Sequence, residues 1–230
     1  MTTTGPKRTP PLRWVGAFVD ERVREIQNGY IHDRSGAVAT LAQLRRGAGK
    51  TIEAVPELWG LTLDDRFYEA MPPFLRREEK ANEQEEAEDA AHIALTLFAV
   101  HQQSRREERM HQRGRDLGAA VRRLMPPGDI DEPLRRRFVQ VGTAHDLATL
   151  AFRLREIVVL LRRDAVALDY GLLADQIHRF QQPGGRSDVR AAWGRGFHAS
   201  STTAAAGKAA GTDTSPSAIE PSTETDEDRP

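Results

Sequence analysis

Residues 90–101, AAHIALTLFAVH, are apolar round most of a helical circumference, interrupted only by Thr96 and the histidines at either end. A helix of that kind belongs inside a protein. The stretch falls far short of the roughly 20 residues that span a bilayer, so it predicts the central helix of a helical bundle rather than a membrane anchor. The acidic run before it, Glu83 to Asp89, is expected to form solvated first turns, where negative charge suits the helix dipole. No structured-loop pattern accompanies those acids to suggest a calcium site.

Outward from this helix, nearly every periodic segment reads as helix, and no stretch alternates with a two-residue period between turn signals. The fold class is therefore all-α: two small packed helical bundles with no sheet. A first helix is expected from about Pro11 to Asn28, burying Trp14, Phe18, Val23 and Ile26, and a second from an Asp33 N-cap to Gly47. Between Thr51 and Pro73, prolines and glycines break the chain into short turns, with Leu58, Trp59, Leu61, Phe67 and Tyr68 available to cover the core.

Past residue 110, a helix carrying Leu117, Ala120, Val121 and Leu124 stops at Pro126-Pro127-Gly128, and the next starts near Asp131 and Pro133. The longest helix is expected over Ala144–Arg163, capped by Thr143. It bears a main stripe (Leu147, Leu150, Leu154, Ile157, Val158, Leu161) and a second one (Ala148, Phe152, Val159). Two apolar faces predict two neighbours, making it the spine of the second bundle. Shorter helices follow over about Tyr170–Gln181 and Ser187–Phe197. The expected organisation is a disordered 1–11, a helical body over 12–197 divided into bundles of about 12–110 and 111–197, and a disordered acidic tail over 198–230 whose composition cannot support a core.

Composition narrows the chemistry. With no cysteine among 230 residues, disulfides, thiolate metal sites and thiol nucleophiles are excluded, and a reducing compartment is the default. The N-terminal MTTTGPKRTPPL lacks the apolar core of a signal peptide, which predicts a cytoplasmic protein. The net charge of −1 hides an uneven distribution: residues 1–100 carry 13 basic and 16 acidic side chains, 101–197 carry 18 and 12, and 198–230 carry 2 and 6. Only four of the 33 basic residues are lysine, and the arginine fork suits phosphate.

Residues 41–50, LAQLRRGAGK, set Arg45, Arg46 and Lys50 at the wet side and end of the second helix. The sequence Gly47 to Thr51 imitates the end of a phosphate-binding loop. Leu44 stands where such a loop needs its first glycine, and a helix rather than a strand precedes it, so nucleotide hydrolysis is the weakest reading. Gly47 and Gly49 read better as helix terminators in the left-handed region.

The seven histidines show no metal-ligand spacing, His92 and His101 read as core or helix-end residues, and no serine stands in a nucleophile elbow. We therefore expect no enzyme, no cofactor and no metal. What recurs is arginine on successive helices: Arg45, Arg46 and Lys50, then Arg115, Arg122 and Arg123, Arg135 to Arg137, and Arg153, Arg155, Arg162 and Arg163. Brought together, such faces would track a sugar-phosphate backbone with little sequence information. Few aromatic residues interleave with them, so base stacking is not strongly expected. Read without any relative, the residues also allow a standalone helical interaction or regulatory protein with solvated arginines.

Six markers in order, LAQLRRGAGK at 41–50, HIALTLFAVH at 92–101, Gly114-Arg115 with Leu117, Arg135-Arg136-Arg137-Phe138, VVLLRR at 158–163 and LDYGLLADQI at 168–177, resemble the CasB family, the small subunit of the type I-E CRISPR surveillance complex Cascade. The resemblance implies a non-catalytic helical subunit, present in two copies with the other Cascade proteins, beside guide RNA and target DNA, that stabilises the opened duplex in antiviral defence. It places Arg45, Arg46, Lys50, Arg115, Arg136 and Arg137 in basic motifs. Arg122 and Arg153 are added from helix geometry. Gly118 stands where the second motif usually has alanine, and Arg135 where the third usually has an acid.

Overall fold

The computed structural model describes the backbone of residues 11–209 and the side chains of 11–199. It is all-helical: α1 Trp14–Ile31, α2 Ser35–Leu44, α3 Trp59–Thr62, α4 Asp65–Ala70, α5 Ala81–Gln102, α6 Leu117–Arg123, α7 Glu132–Gly142, α8 Leu147–Arg163, α9 Tyr170–Gln181 and α10 Gly185–Ala209. Short 3-10 turns fill the connections. The described residues form no sheet, only an isolated parallel bridge between His111 and Leu168.

Helix α5 is the axis. Ala90 through His101 are all buried, and α1, α2, α8 and α9 pack round them. The acidic turns before this segment are less solvated than expected: Glu88 is buried and accepts from Gln84, and burial raises its carboxyl above the usual range. Helix α9 lies against both α1 and α5, so the expected halves share one continuous hydrophobic core.

The α1–α9 crossing explains much of the marker at 168–177. Gly16 and Gly171 face each other so closely that a Cβ on Gly16 would fall 2.5 Å from the Gly171 carbonyl oxygen. Asp175 on α9 accepts from the backbone N–H of Arg13 (2.7 Å) and Gly16 (2.8 Å), sealing the start of a helix 159 residues earlier in sequence. Asp169 caps α9 through Leu172 N–H and takes Gly114 N–H on its other oxygen. The Tyr170 hydroxyl meets His101 Nδ1 at 2.8 Å, while Tyr170 N–H donates to His111 Nδ1, which leaves the His111 proton on Nε2 to bond Asp20.

Several helix ends depart from the expected ones. Asp33 does not cap α2 but sits at φ +54°, and Arg34 occupies the cap position without a side-chain bond. Asp146 rather than Thr143 caps α8, because its carboxylate reaches Thr149 N–H, and Thr143 closes α7 instead. Asp131 caps α7 as expected. Helix α8, at 17 residues, is shorter than α5 and α10. Its main stripe is buried from Leu150 to Leu161 and the helix packs on α5, but Phe152 is 55% and Val159 44% exposed, so the second stripe is only partly covered by the described residues. Helix α10 runs on to Ala209, beyond the expected end of the body, although Phe197 is the last core side chain described. The expected disorder of 1–10 and 210–230 lies outside the described residues.

Candidate nucleic-acid interface

The turn after α2 is built by two glycines with different tasks. Gly49 has φ +82°, the left-handed terminator expected. Gly47 lies outside that region; it is buried against α5, where a Cβ would come within 3.1 Å of Leu58, Thr96 and His92 side chains. The Ile52 N–H then bonds Asp89 of α5 at 3.0 Å, pinning the exit from the turn. A glycine committed to core packing, at the end of a helix, cannot cradle phosphates in the P-loop manner.

This turn rests on α8. A Cβ on Gly49 would lie 2.9 Å from Cδ and 3.2 Å from Cβ of Arg155, and 3.6 Å from the Ala151 carbonyl. The first motif therefore joins an arginine 105 residues away: Arg46, Lys50 and Arg155 are exposed and Arg45 half-buried, with none paired to a described acid. Arg155 is among the recurrent arginines of the sequence, but no motif or spacing there ties it to residues 45–50.

The other expected residues fall into two groups. Arg136 and Arg137 are exposed on α7 and also lack a described acidic partner, whereas Arg135 closes on Glu132 at 2.9 Å. Arg115, half-buried, stands by Arg123, and burial together with that like charge lowers its pKa. By contrast Arg122 is only 6% exposed and donates to the Pro126 carbonyl, so the expectation of a solvent-facing arginine there is corrected: it stops α6. Arg153 donates to the Gln140 carbonyl and ties α7 to α8. Arg162 bonds Gln103, and Arg163 pairs with Asp164.

Helix α8 thus has the first motif along one flank, through Ala151 and Arg155, and α7 along the other, through Arg153. Elsewhere several arginines are consumed locally, Arg22 by Glu25, Arg66 by Asp64 and Arg179 by Asp188, while Arg34 and, on α10, Arg190 and Arg195 are exposed with no described acidic partner.

One other cluster has metal-ligating residue types: Asp20, His111 and Asp169, all buried. Its atoms are already committed. His111 uses both ring nitrogens, Asp169 both carboxylate oxygens, and the Arg113 guanidinium lies 3.4 Å from Asp20 and 3.5 Å from Asp169, where a cation would otherwise sit. His92 and His101 are wholly buried, and desolvation lowers their pKa values to about 4 and about 3, so both are neutral core residues at pH 7.

Comparison with known proteins agrees with this architecture. No curated protein matches the chain. The crystal structure of CasB from Thermobifida fusca is 65% identical, covering 82% of this chain and 99% of its own, with a TM-score of 0.73. A chain of a CRISPR RNA-guided surveillance complex shares the fold at 19% identity, covering 84% of this chain and 99% of its own, with a TM-score of 0.59. The family model described as CRISPR-associated protein Cse2 matches residues 40–198, a span running from the first basic motif to the end of the described core. With that match and the 65% identity, the chain belongs to the Cse2, or CasB, family of CRISPR-associated proteins.

Proposed function

We propose that this chain is a non-catalytic nucleic-acid-binding small subunit of type I-E Cascade, which stabilises guide RNA–target DNA pairing and the displaced strand through backbone contacts. The observation carrying this reading is the set of cations without described acidic partners: Arg46, Lys50 and Arg155 at the α2–α8 junction, and Arg136 and Arg137 on α7. Arg45, at the same junction, and the Arg115–Arg123 pair extend it. That a related chain belongs to a CRISPR RNA-guided surveillance complex supports assembly with other subunits of such a complex; a second copy of this chain within it is part of the proposal.

The mechanism rests on a near balance. Replacing a DNA duplex by a guide–target heteroduplex changes base-pairing energy little, so modest protein contacts to phosphate tip the exchange. Arginines free of competing acids need break no ion pair on meeting a strand, which offsets part of the rotamer freedom they lose. Bound to the displaced strand, they slow its return. Nothing in this role asks for a proton transfer or a covalent step.

Replacing Arg46, Arg136 and Arg137 together by alanine tests the reading. Surface changes of this kind cost under about 0.5 kcal/mol each in stability. The mutant complex is expected to assemble and bind guide RNA normally, yet open target duplex less stably, with a defect that grows with salt. Wild-type opening kinetics in a properly assembled mutant complex would place the nucleic-acid surface elsewhere. In the isolated protein, affinity for nucleic acid should fall with salt by roughly 0.7 to 0.9 per neutralised phosphate on logarithmic axes, and a slope near zero would count equally against the proposal.

A further inference from the structure

The outward face of α8 is the largest feature left unexplained. Phe152 is more than half exposed, and with Ala148 and Val159 it makes an apolar strip. At 100° per residue, Arg155 lies about 60° to one side of Phe152 and Glu156 about 40° to the other, with Ala148 and Val159 between Phe152 and Arg155. The Arg155 side is the flank on which Gly49 rests, with Lys50 next to it in sequence, and the opposite flank meets α7 through Arg153. An exposed aromatic ring therefore stands beside the unpaired Arg155 and the turn that carries Lys50.

We infer that Phe152 is a base-stacking residue: a nucleobase of a single strand lies on its ring while the phosphate of the same strand meets Arg155 and Lys50. The inference rests on the nucleic-acid reading above and adds a preference to it. A single-stranded nucleotide offers an unpaired π-face and an anion on one flexible unit, whereas a duplex keeps its base faces inside the stack. Phe152 and Arg155, three positions apart on one helix, have Cβ atoms about 5–6 Å apart, which lets one nucleotide engage both. Glu156 repels phosphate on the far side and confines the backbone to the Arg155 edge.

A protein occupant fits less well. Three side chains provide far less than the roughly 800 Å² per partner that a stable interface needs, and the adjoining Arg46, Lys50 and Arg155 would demand acids from the partner. Stacking is tolerant of sequence, so it fits little sequence readout, and it gives one aromatic residue a part on a surface where few were expected.

The test uses the full chain, a mixed-sequence 20-nucleotide single strand as DNA and as RNA, and the corresponding DNA duplex. Phe152→Ala should weaken single-strand binding about tenfold, equivalent to about 1.4 kcal/mol, leave duplex binding within about twofold, and leave the salt slope unchanged, since no phosphate contact is lost. Phe152→Tyr should restore binding. Arg155→Ala should instead reduce the single-strand slope by about 0.7. With 5-iodouracil in the strand, photocrosslinking should map to residue 152. If the wild type binds in a salt-dependent way and Phe152→Ala matches it on the single strand, stacking is overturned while the parent reading stands. If the wild type binds neither form, both fall. Unchanged affinity with an altered sedimentation coefficient would give the face to protein contact and overturn the inference.

Discussion

Gly118 on α6 leaves no space for a methyl group: a Cβ there would lie 1.9 Å from the Trp193 carbonyl oxygen and 2.6 Å from the Phe197 nitrogen. Alanine raises helix propensity, but the clash is with backbone of α10, which cannot step aside. Gly118→Ala should therefore destabilise the protein by about 1–3 kcal/mol, measured by urea denaturation. A gain in stability would show that α6 and α10 slide apart freely. Asp175→Ala should cost a similar amount, about 1–3 kcal/mol, because it strands the buried N–H of Gly16 and the part-buried one of Arg13. The sequence makes Gly118 conspicuous against an alanine and Asp175 part of a marker, yet says nothing of their partners, which lie 75 and 159 residues distant. Gly47 and Gly49 look alike in the chain. Only the approach of α5 separates the packing glycine from the turning one.

Among the elements, those governed by neighbours in sequence were the readable ones. Helix α9 begins and ends where its pattern predicts, and Asp131 with Pro133 announces α7, because capping acts over three residues. Periodicity also finds both stripes of α8, but it reports which residues are apolar and not which of them acquire a cover. The arginines are harder still. A guanidinium that binds a helix-terminal carbonyl, as Arg122 and Arg153 do, is indistinguishable in sequence from one awaiting phosphate. Arg105 is a further case: it donates to the Arg162 and Arg163 carbonyls, at 2.7 and 2.6 Å, and holds the α5–α6 connection on the end of α8. Its side chain is partly exposed, so Arg105→Ala should cost only about 1 kcal/mol, lowering Tm by about 2–4 °C and speeding proteolysis within residues 103–116. Cleavage at the wild-type rate would show that this connection is held by its backbone alone.

For the whole molecule, one core through α1, α5, α8 and α9 carries neutral histidines at its centre. His92 and His101 cannot take protons until pH approaches about 4 and about 3, while the unfolded chain protonates them near 6.5. Falling pH therefore favours unfolding through this window, by at most about 1.4 kcal/mol per unit for each histidine. The buried Glu88 and half-buried Asp89 act oppositely, binding protons more tightly when folded, but nearer the carboxylate range. Stability should thus drop between pH 7 and about 5.5, and His92→Gln should flatten the drop; identical pH profiles for mutant and wild type would exclude His92 as a source. The seal that Asp175 places on α1 has a further consequence, during synthesis. The ribosome releases α1 some 159 residues before Asp175 exists, and at about 5–20 residues per second the Arg13 and Gly16 N–H groups wait roughly 8–30 s for it, although α2 and α5 reach α1 earlier. A nascent chain stalled before residue 168 should be digested readily by protease, and one stalled far enough on to free α9 from the exit tunnel should resist. Birth order and folding order are opposed in this protein, and its first helix is among the last parts to become secure.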